Sequence, residues 1–338
     1  MKTWQYSTVT GTLEESLSFV EDAPMPDASN LRPDQLIIQV ISAALNPVDY
    51  KLPESGLVGR IMIPRPATPG LDFCGRIYAT HANNTTFKKG ELVFGGLAGG
   101  FRFGTLGEYS VVSTAECARL PPGVQPDHAA AVGTAATTAY QSLPPHIVKP
   151  GAKVFINGGS GGVGTWAIQF AKVRGAHVVT TCSTRNIGRC KEFGADEVID
   201  YTKGNIVDSL KAQGEAFDLI IDNVGDSAVL YDNRNTLLKP SGMFVQVGVG
   251  ESLSIASIAS TGSRQLWQYI PSERSFYFVN QNNKAEYFQQ IGQWMTEGRV
   301  RAFVDTSFSL DRVVEAFKEL RKGHVRDKLV IHVEQQTR

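Results

Sequence analysis

At 338 residues the chain exceeds the usual single domain, and two domains with a substrate cleft between them are expected. Lys plus Arg equals Asp plus Glu at 33 each, with no block of like charge, which argues against nucleic acid and anionic membranes as partners. No apolar run approaches ~18 residues, the N-terminal hexapeptide lacks a signal-like core, and the cysteines form no Cys-x-x-Cys pair, so a cytoplasmic protein is expected.

Residues 1–125 show short β-type runs, Leu36 to Val40 and Glu108 to Val112 among them, punctuated by Pro and Gly. That stretch predicts an irregular, mostly β domain. After Pro150-Gly151 the texture changes to a strand over Lys153 to Asn157, a Gly-rich turn, and a helix over Thr165 to Val173. Strands follow over His177 to Thr181, Glu197 to Ile199, Phe217 to Asp222 and Met243 to Val247. Helices fall between them over Ile187 to Phe193, Ile206 to Ala212 and Ser227 to Leu238. The alternation predicts an α/β fold with a doubly wound parallel sheet over residues 126–280. A last strand over Ser275 to Val279, a long amphipathic helix over Lys284 to Glu297 and a closing strand over Leu329 to Val333 complete the pattern, with residues 281–338 returning to the first domain.

Gly158-Gly159-Ser160-Gly161-Gly162-Val163-Gly164 sits between a predicted strand and a predicted helix. There, backbone N–H groups and the positive helix end suit a pyrophosphate, which marks a dinucleotide site; a plain tight turn is the alternative. A site selective for NAD carries an acidic residue about 20 residues further on, to hold the ribose 2′-hydroxyl. Here that stretch is Cys182-Ser183-Thr184-Arg185-Asn186, with two hydroxyls, a guanidinium and no carboxylate, so NADPH is the expected cofactor. Tyr201 adds a phenol at the end of the next strand, and a merely solvated Arg185 is the competing reading.

Further segments agree in order along the chain: Asn46-Pro47-Val48-Asp49-Tyr50-Lys51, Pro69 to Gly75, Phe87 to Gly90, Gly107-Glu108-Tyr109, Asp222 to Gly225, and Gly323-His324-Val325 with Lys328. With the Gly-rich turn, they make the chain resemble the zinc-free medium-chain dehydrogenases/reductases, on the quinone oxidoreductase (zeta-crystallin-like) and enoyl reductase branch. The resemblance implies a GroES-like, mostly β catalytic domain and a Rossmann domain. It also implies a cofactor set of Asn46, Asp49, Lys51, Thr134, Ser160, Gly161, Gly162, Val163, Ser183, Thr184, Arg185, Tyr201, Asn223, Gly248, Phe278 and Lys328. Zinc-dependent relatives carry a cysteine where Asn46 stands and a His-Glu pair where Leu71-Asp72 stand; without these ligands no metal is expected.

In the zinc-free branch the hydride goes to a quinone or to the β-carbon of an enone or enal. Asp49 and Lys51, read as one face of an extended segment, would turn toward nicotinamide and substrate, with Lys51 as candidate donor to a developing oxyanion; a snorkelling or ribose-binding lysine is the alternative. Tyr50, Phe101, Phe103 and Trp267 are candidates for the wall of a pocket for a small apolar or aromatic carbonyl compound, with core packing as the competing account. The tyrosine donor of enoyl-thioester reductases is missing from Ser55-Gly56-Leu57-Val58. A dedicated tailoring or trans-acting enoyl reductase of secondary metabolism stays open, as does a redox-silent NADPH-binding protein. By resemblance, Phe276 to Val279 is a strand through which such chains form homodimers.

Overall fold

In a computed structural model the described residues are 1–97, 104–212, 214, 216–225, 228–248 and 274–334. They form two compact units, Met1–Thr137 with Gln281–Arg338, and Thr138–Asn280. The strands in chain order are β1 (Thr3–Gln5), β2 (Ser18–Val20), β3 (Gln35–Leu45), β4 (Asp72–Thr80), β5 (Leu92–Gly96), β6 (Tyr109–Ser113), β7 (Cys117–Arg119), β8 (Lys153–Asn157), β9 (His177–Cys182), β10 (Glu197–Asp200), β11 (Phe217–Asp222), β12 (Leu238–Gln246), β13 (Ser275–Phe278), β14 (Val304–Ser309) and β15 (Lys328–His332).

The first unit is built on a sheet in the order β14-β15-β3-β4-β5-β7, with β6 also paired to β3. Its centre, β3 against β4, is antiparallel, and β15 runs antiparallel to the other edge of β3. The C-terminal segment therefore completes the sheet rather than decorating it. Leu36, Ile38, Val40, Phe73, Val93, Leu329 and Ile331 fill its core. The helix Pro126–Ala130 also belongs here, packed on β3 and β4. The first unit thus extends to Thr137 rather than to 125, because this helix packs on its sheet.

The second unit is one parallel sheet in the order β10-β9-β8-β11-β12-β13. Central strands covered on both faces need continuous apolar runs, and Val154, Phe155, Ile156, Leu219, Ile220 and Ile221 are all fully buried. The helix Gly162–Val173 buries Trp166, Ile168 and Phe170. The single helix expected over 227–238 is instead two short ones, Ala228–Asp232 and Arg234–Leu237. There the Asn233 amide turns back to the Val229 carbonyl at 2.9 Å, and Leu238 already opens β12.

Candidate functional site

In the second unit, β8 ends at Asn157 and the chain enters the glycine-rich turn. Gly158 takes φ 79°, which a side chain would oppose, and a Cβ on Gly164 would run into the Gly158 carbonyl. The turn is pinned to the neighbouring strand β9: Thr181 Oγ1 accepts from Gly158 N at 2.8 Å, and the Thr181 carbonyl accepts from Gly159 N at 2.9 Å. No side chain caps the helix that follows. First-turn N–H groups have no intrahelical acceptor, so Gly162, Val163 and Gly164 present donors at the positive end of the helix, the arrangement a pyrophosphate requires.

Asn186 joins two of the expected segments, its amide lying 3.2 Å from Ser160 Oγ and 3.3 Å from Ser183 Oγ. Thr184 and Arg185 are exposed on the turn Thr184–Asn186. The expectation that no carboxylate stands near this turn is overturned. Parallel pairing sets Asp200 opposite Cys182, and Asp200 Oδ2 accepts from Thr184 Oγ1 at 2.5 Å while Oδ1 accepts from Thr202 Oγ1 at 2.6 Å. These two hydroxyl bonds hold the Asp200 carboxyl below its ordinary range. Lys203 Nζ stands 3.8 Å from it, and Tyr201 is exposed. The carboxylate came from strand pairing, sixteen residues away in sequence, where a local reading does not reach.

At the far ends of β11 and β12, Asp222 organises the chain. Its Oδ1 accepts from Asn157 Nδ2 at 2.9 Å, Val224 N at 3.1 Å and Gly225 N at 3.2 Å. Asn223 donates to the Asn157 carbonyl at 3.1 Å. Its Oδ1 is buried and, among the described residues, has no partner, so it is an acceptor fit for a ligand hydroxyl. Gly248 passes so close to Asn223 and Val224 that no side chain fits there. Phe278 is half-buried against the core of its own sheet.

In the first unit, the turn Val48–Lys51 is helical and not extended. Pro47 already has φ −56° and ψ −28°, and the Asp49 carboxylate accepts from Asn46 N at 2.6 Å, as an acid in a first helical turn does. At about 100° per residue, Asp49 and Lys51 no longer share a face. Asp49 is buried, Lys51 is half-buried at the end of the turn, and Tyr50 packs on the core beneath the Arg321 guanidinium, 4.2 Å from its ring centre. Tyr50 is thus held as a packing residue, with Arg321 paired to Glu14 and Glu54.

Beside that turn lies a buried polar cluster. Asp72 Oδ2 accepts from Lys328 Nζ at 3.0 Å and Asn46 Nδ2 at 2.8 Å; its Oδ1 accepts from Thr134 N at 2.7 Å and Thr134 Oγ1 at 2.6 Å. Lys328 Nζ also donates to Asn46 Oδ1 at 2.5 Å. A Cβ on Gly133 would strike Asp72, so the glycine makes room for the carboxylate. Four donors surround the Asp72 carboxyl. Asp49 has one donor on Oδ2 and, among the described residues, none on its buried Oδ1. Burial, then the Asp72 charge, pushes its carboxyl up to about 8.

Asn46, Asp49, Thr134 and Lys328 are therefore brought together, whereas Phe101, Phe103 and Trp267 lie outside the described residues. Asp72 was not singled out from the sequence, although a carboxylate opening the apolar run of β4 requires a buried partner, and Lys328 opens an apolar strand in the same way.

An alcohol dehydrogenase GroES-like domain model matches residues 32–122, and a zinc-binding dehydrogenase model matches residues 193–331. The chain is 39% identical to the trans-enoyl reductase pgmF of Aspergillus terreus over 99% of its own length and 97% of the relative's. The chain belongs to the medium-chain dehydrogenase/reductase superfamily. Within it the chain sits on the quinone oxidoreductase and enoyl reductase branch. It is 32% identical to the 2-methylene-furan-3-one reductase of Solanum lycopersicum over 98% of this chain and 79% of that one. The structure of the quinone oxidoreductase from Coxiella burnetii superposes with a TM-score of 0.81 at 29% identity, covering 99% of both chains. A medium-chain dehydrogenase/reductase is an oxidoreductase that uses a nicotinamide dinucleotide, and the cradle above has the donors and the orphaned acceptor to hold one.

Proposed function

We propose that the protein is an NADPH-dependent, zinc-independent reductase of activated C=C bonds and quinones, acting on small apolar or aromatic carbonyl compounds. The observation that carries the reading is Lys328 Nζ, bonded to both Asn46 Oδ1 and Asp72 Oδ2. Zinc is held by deprotonated N and S ligands, and here the corresponding donors are an amide and a carboxylate already neutralised by a buried ammonium. A dication beside that ammonium is unfavourable, so these residues do not fit zinc.

The nicotinamide coenzyme supplies the hydride. The first turn of the helix Gly162–Val173 binds the pyrophosphate, and Asn223 Oδ1 accepts a hydrogen bond from a coenzyme hydroxyl. NADPH is favoured over NADH by Arg185, Tyr201 and Lys203 at the ends of β9 and β10, against the single carboxylate Asp200, whose lone pairs are engaged by Thr184 and Thr202. The test is NADPH oxidation against a panel of quinones, enals, enones and enoyl thioesters. Turnover on the activated alkenes or quinones supports the reading, and turnover only on saturated alcohols or aldehydes contradicts it.

A trans-acting enoyl reductase of secondary metabolism is a second reading, favoured by the 39% identity to pgmF along 99% of the chain. Selective turnover of enoyl thioesters in the same panel would single it out. A homodimer through β13 is also proposed, since β13 is the edge strand of its sheet among the described residues; the mass in solution tests it.

A further inference from the structure

We propose that Asn186 is a positioning residue for coenzyme choice: its amide turns the hydroxyl hydrogens of Ser160 and Ser183 outward, as a pair of donors to the 2′-phosphate of NADPH. The inference rests on the NADPH reading above, and every residue in it belongs to the unit Thr138–Asn280.

The two serines stand on different segments. Ser160 lies in the glycine-rich turn after β8, and Ser183 follows β9, where a dinucleotide fold reads the 2′ position of the adenosine ribose. Asn186 closes the turn behind them, its backbone N–H donating to the Ser183 carbonyl at 2.9 Å. It is 8% exposed, whereas both serines are half-buried. One amide nitrogen reaches both hydroxyl oxygens, at 3.2 Å and 3.3 Å, so each serine receives one of its two N–H groups.

A serine hydroxyl has one hydrogen and two lone pairs. Accepting the amide N–H occupies a lone pair on the amide side, and the O–H bond points elsewhere. Among the described residues no acceptor takes either hydrogen. The neighbouring threonines differ. Thr181 Oγ1 spends its hydrogen on Asn157 Oδ1 at 2.7 Å, while Thr184 and Thr202 spend theirs on the Asp200 carboxylate. Ser160 and Ser183 are therefore left as donors at this corner of the sheet, and Thr184 is not, although it lies between Ser183 and Arg185. A phosphate oxygen takes charge-assisted hydrogen bonds from such donors, which are stronger than those a neutral ribose hydroxyl accepts. Two aimed donors also offset the Asp200 charge, which repels the same phosphate.

The experiment titrates NADPH and NADH by fluorescence against the full chain. The proteins are the wild type, Ser160→Ala, Ser183→Ala, the double serine variant, and Asn186→Ala with and without both serines. Each single serine variant is expected to weaken NADPH about tenfold, the worth of one charge-assisted contact, and NADH by no more than about twofold. Asn186→Ala is expected to weaken NADPH several-fold and to leave NADH nearly unchanged. Added to the double serine variant it should cost NADPH nothing more, because it acts through the two hydroxyls alone. A residue that merely held the turn would weaken both coenzymes, with or without the serines. Asn186→Asp keeps the shape should Asn186→Ala fail to fold. It accepts where the amide donates and turns both hydrogens inward, so most of its NADPH loss should vanish when the serines are absent. Folded serine variants that bind NADPH like the wild type overturn the proposal. So does a loss at position 186 that persists in full without the serines, or that falls equally on NADH. Failure of the folded wild type to bind either coenzyme overturns the coenzyme reading itself, and a wild type that prefers NADH overturns the NADPH reading; either takes the proposal with it.

Discussion

Lys328 Nζ and Asp72 Oδ2 lie 3.0 Å apart with their side chains 3% and 0% exposed, and this pair joins β15, from the C-terminal return, to β4 from the first hundred residues. Its electrostatics and its place in the fold cannot be separated. Removing one member leaves the other charge buried and alone.

Lys328→Met and Asp72→Asn are each expected to destabilise the protein by about 3–5 kcal/mol, the usual consequence of breaking a buried pair from one side. The double variant Asp72→Leu with Lys328→Met should recover much of that stability without recovering activity. Thermal unfolding and NADPH titration of the three proteins check this; single variants as stable as the wild type would show that the pair is not holding the sheet.

In the proposed reading the turn at the end of β9 sets coenzyme choice. Arg185→Ala should weaken NADPH binding about tenfold and NADH binding little, since only NADPH carries the 2′-phosphate. Asp200→Asn should act the other way and strengthen NADPH several-fold by removing a like charge. Titrations of both coenzymes against both variants decide the matter, and equal losses for NADH and NADPH in Arg185→Ala would assign that residue to folding instead.

Asp49 also makes stability depend on pH. Its carboxyl is raised from an ordinary 3.8 to about 8 by burial and by Asp72. The folded protein therefore binds the proton more tightly than the unfolded chain, and this contribution to stability is full below the unfolded value and lost as pH rises through about 8. Asp49→Asn is expected to raise the melting temperature relative to the wild type at alkaline pH and to show little or no advantage in mild acid. A constant difference across that range would contradict the shift.

Much of this was legible along the chain and some was not. The strand Lys153–Asn157, the Gly-rich turn and the helix after it could be read because an apolar run, a glycine cluster and a 3.6-residue period are local signals. The turn 48–51 was misread as extended, since four residues are too few for periodicity to separate a helical turn from a strand. Its helical form rests on Pro47 and on the contact from Asp49 to Asn46. Asp200 was missed for a different reason. The end of β9 carries no acid of its own, and Asp200 comes beside it on β10 through parallel pairing, a relation that no local window contains. The cluster of Asn46, Asp72, Thr134 and Lys328 needs four distant segments, and only the buried carboxylate opening β4 and the lysine opening β15 hinted at it.

Lys51, at the end of a helical turn and off the face of Asp49, is expected to support binding rather than proton transfer. Lys51→Met should keep turnover within several-fold of the wild type at saturating NADPH, against the ~10²-fold loss typical of a well-placed oxyanion donor. A loss of that larger size at unchanged NADPH affinity would make Lys51 a catalytic group.

The most direct test of the whole account is NADPH oxidation by protein that has been exhaustively chelated and analysed for metal, with an enone, a quinone and an enoyl thioester as acceptors. The account predicts undiminished turnover on at least one of them, with no stoichiometric zinc. One zinc per chain together with loss of turnover on its removal would contradict the assignment of the Lys328 ammonium to the place a metal would need.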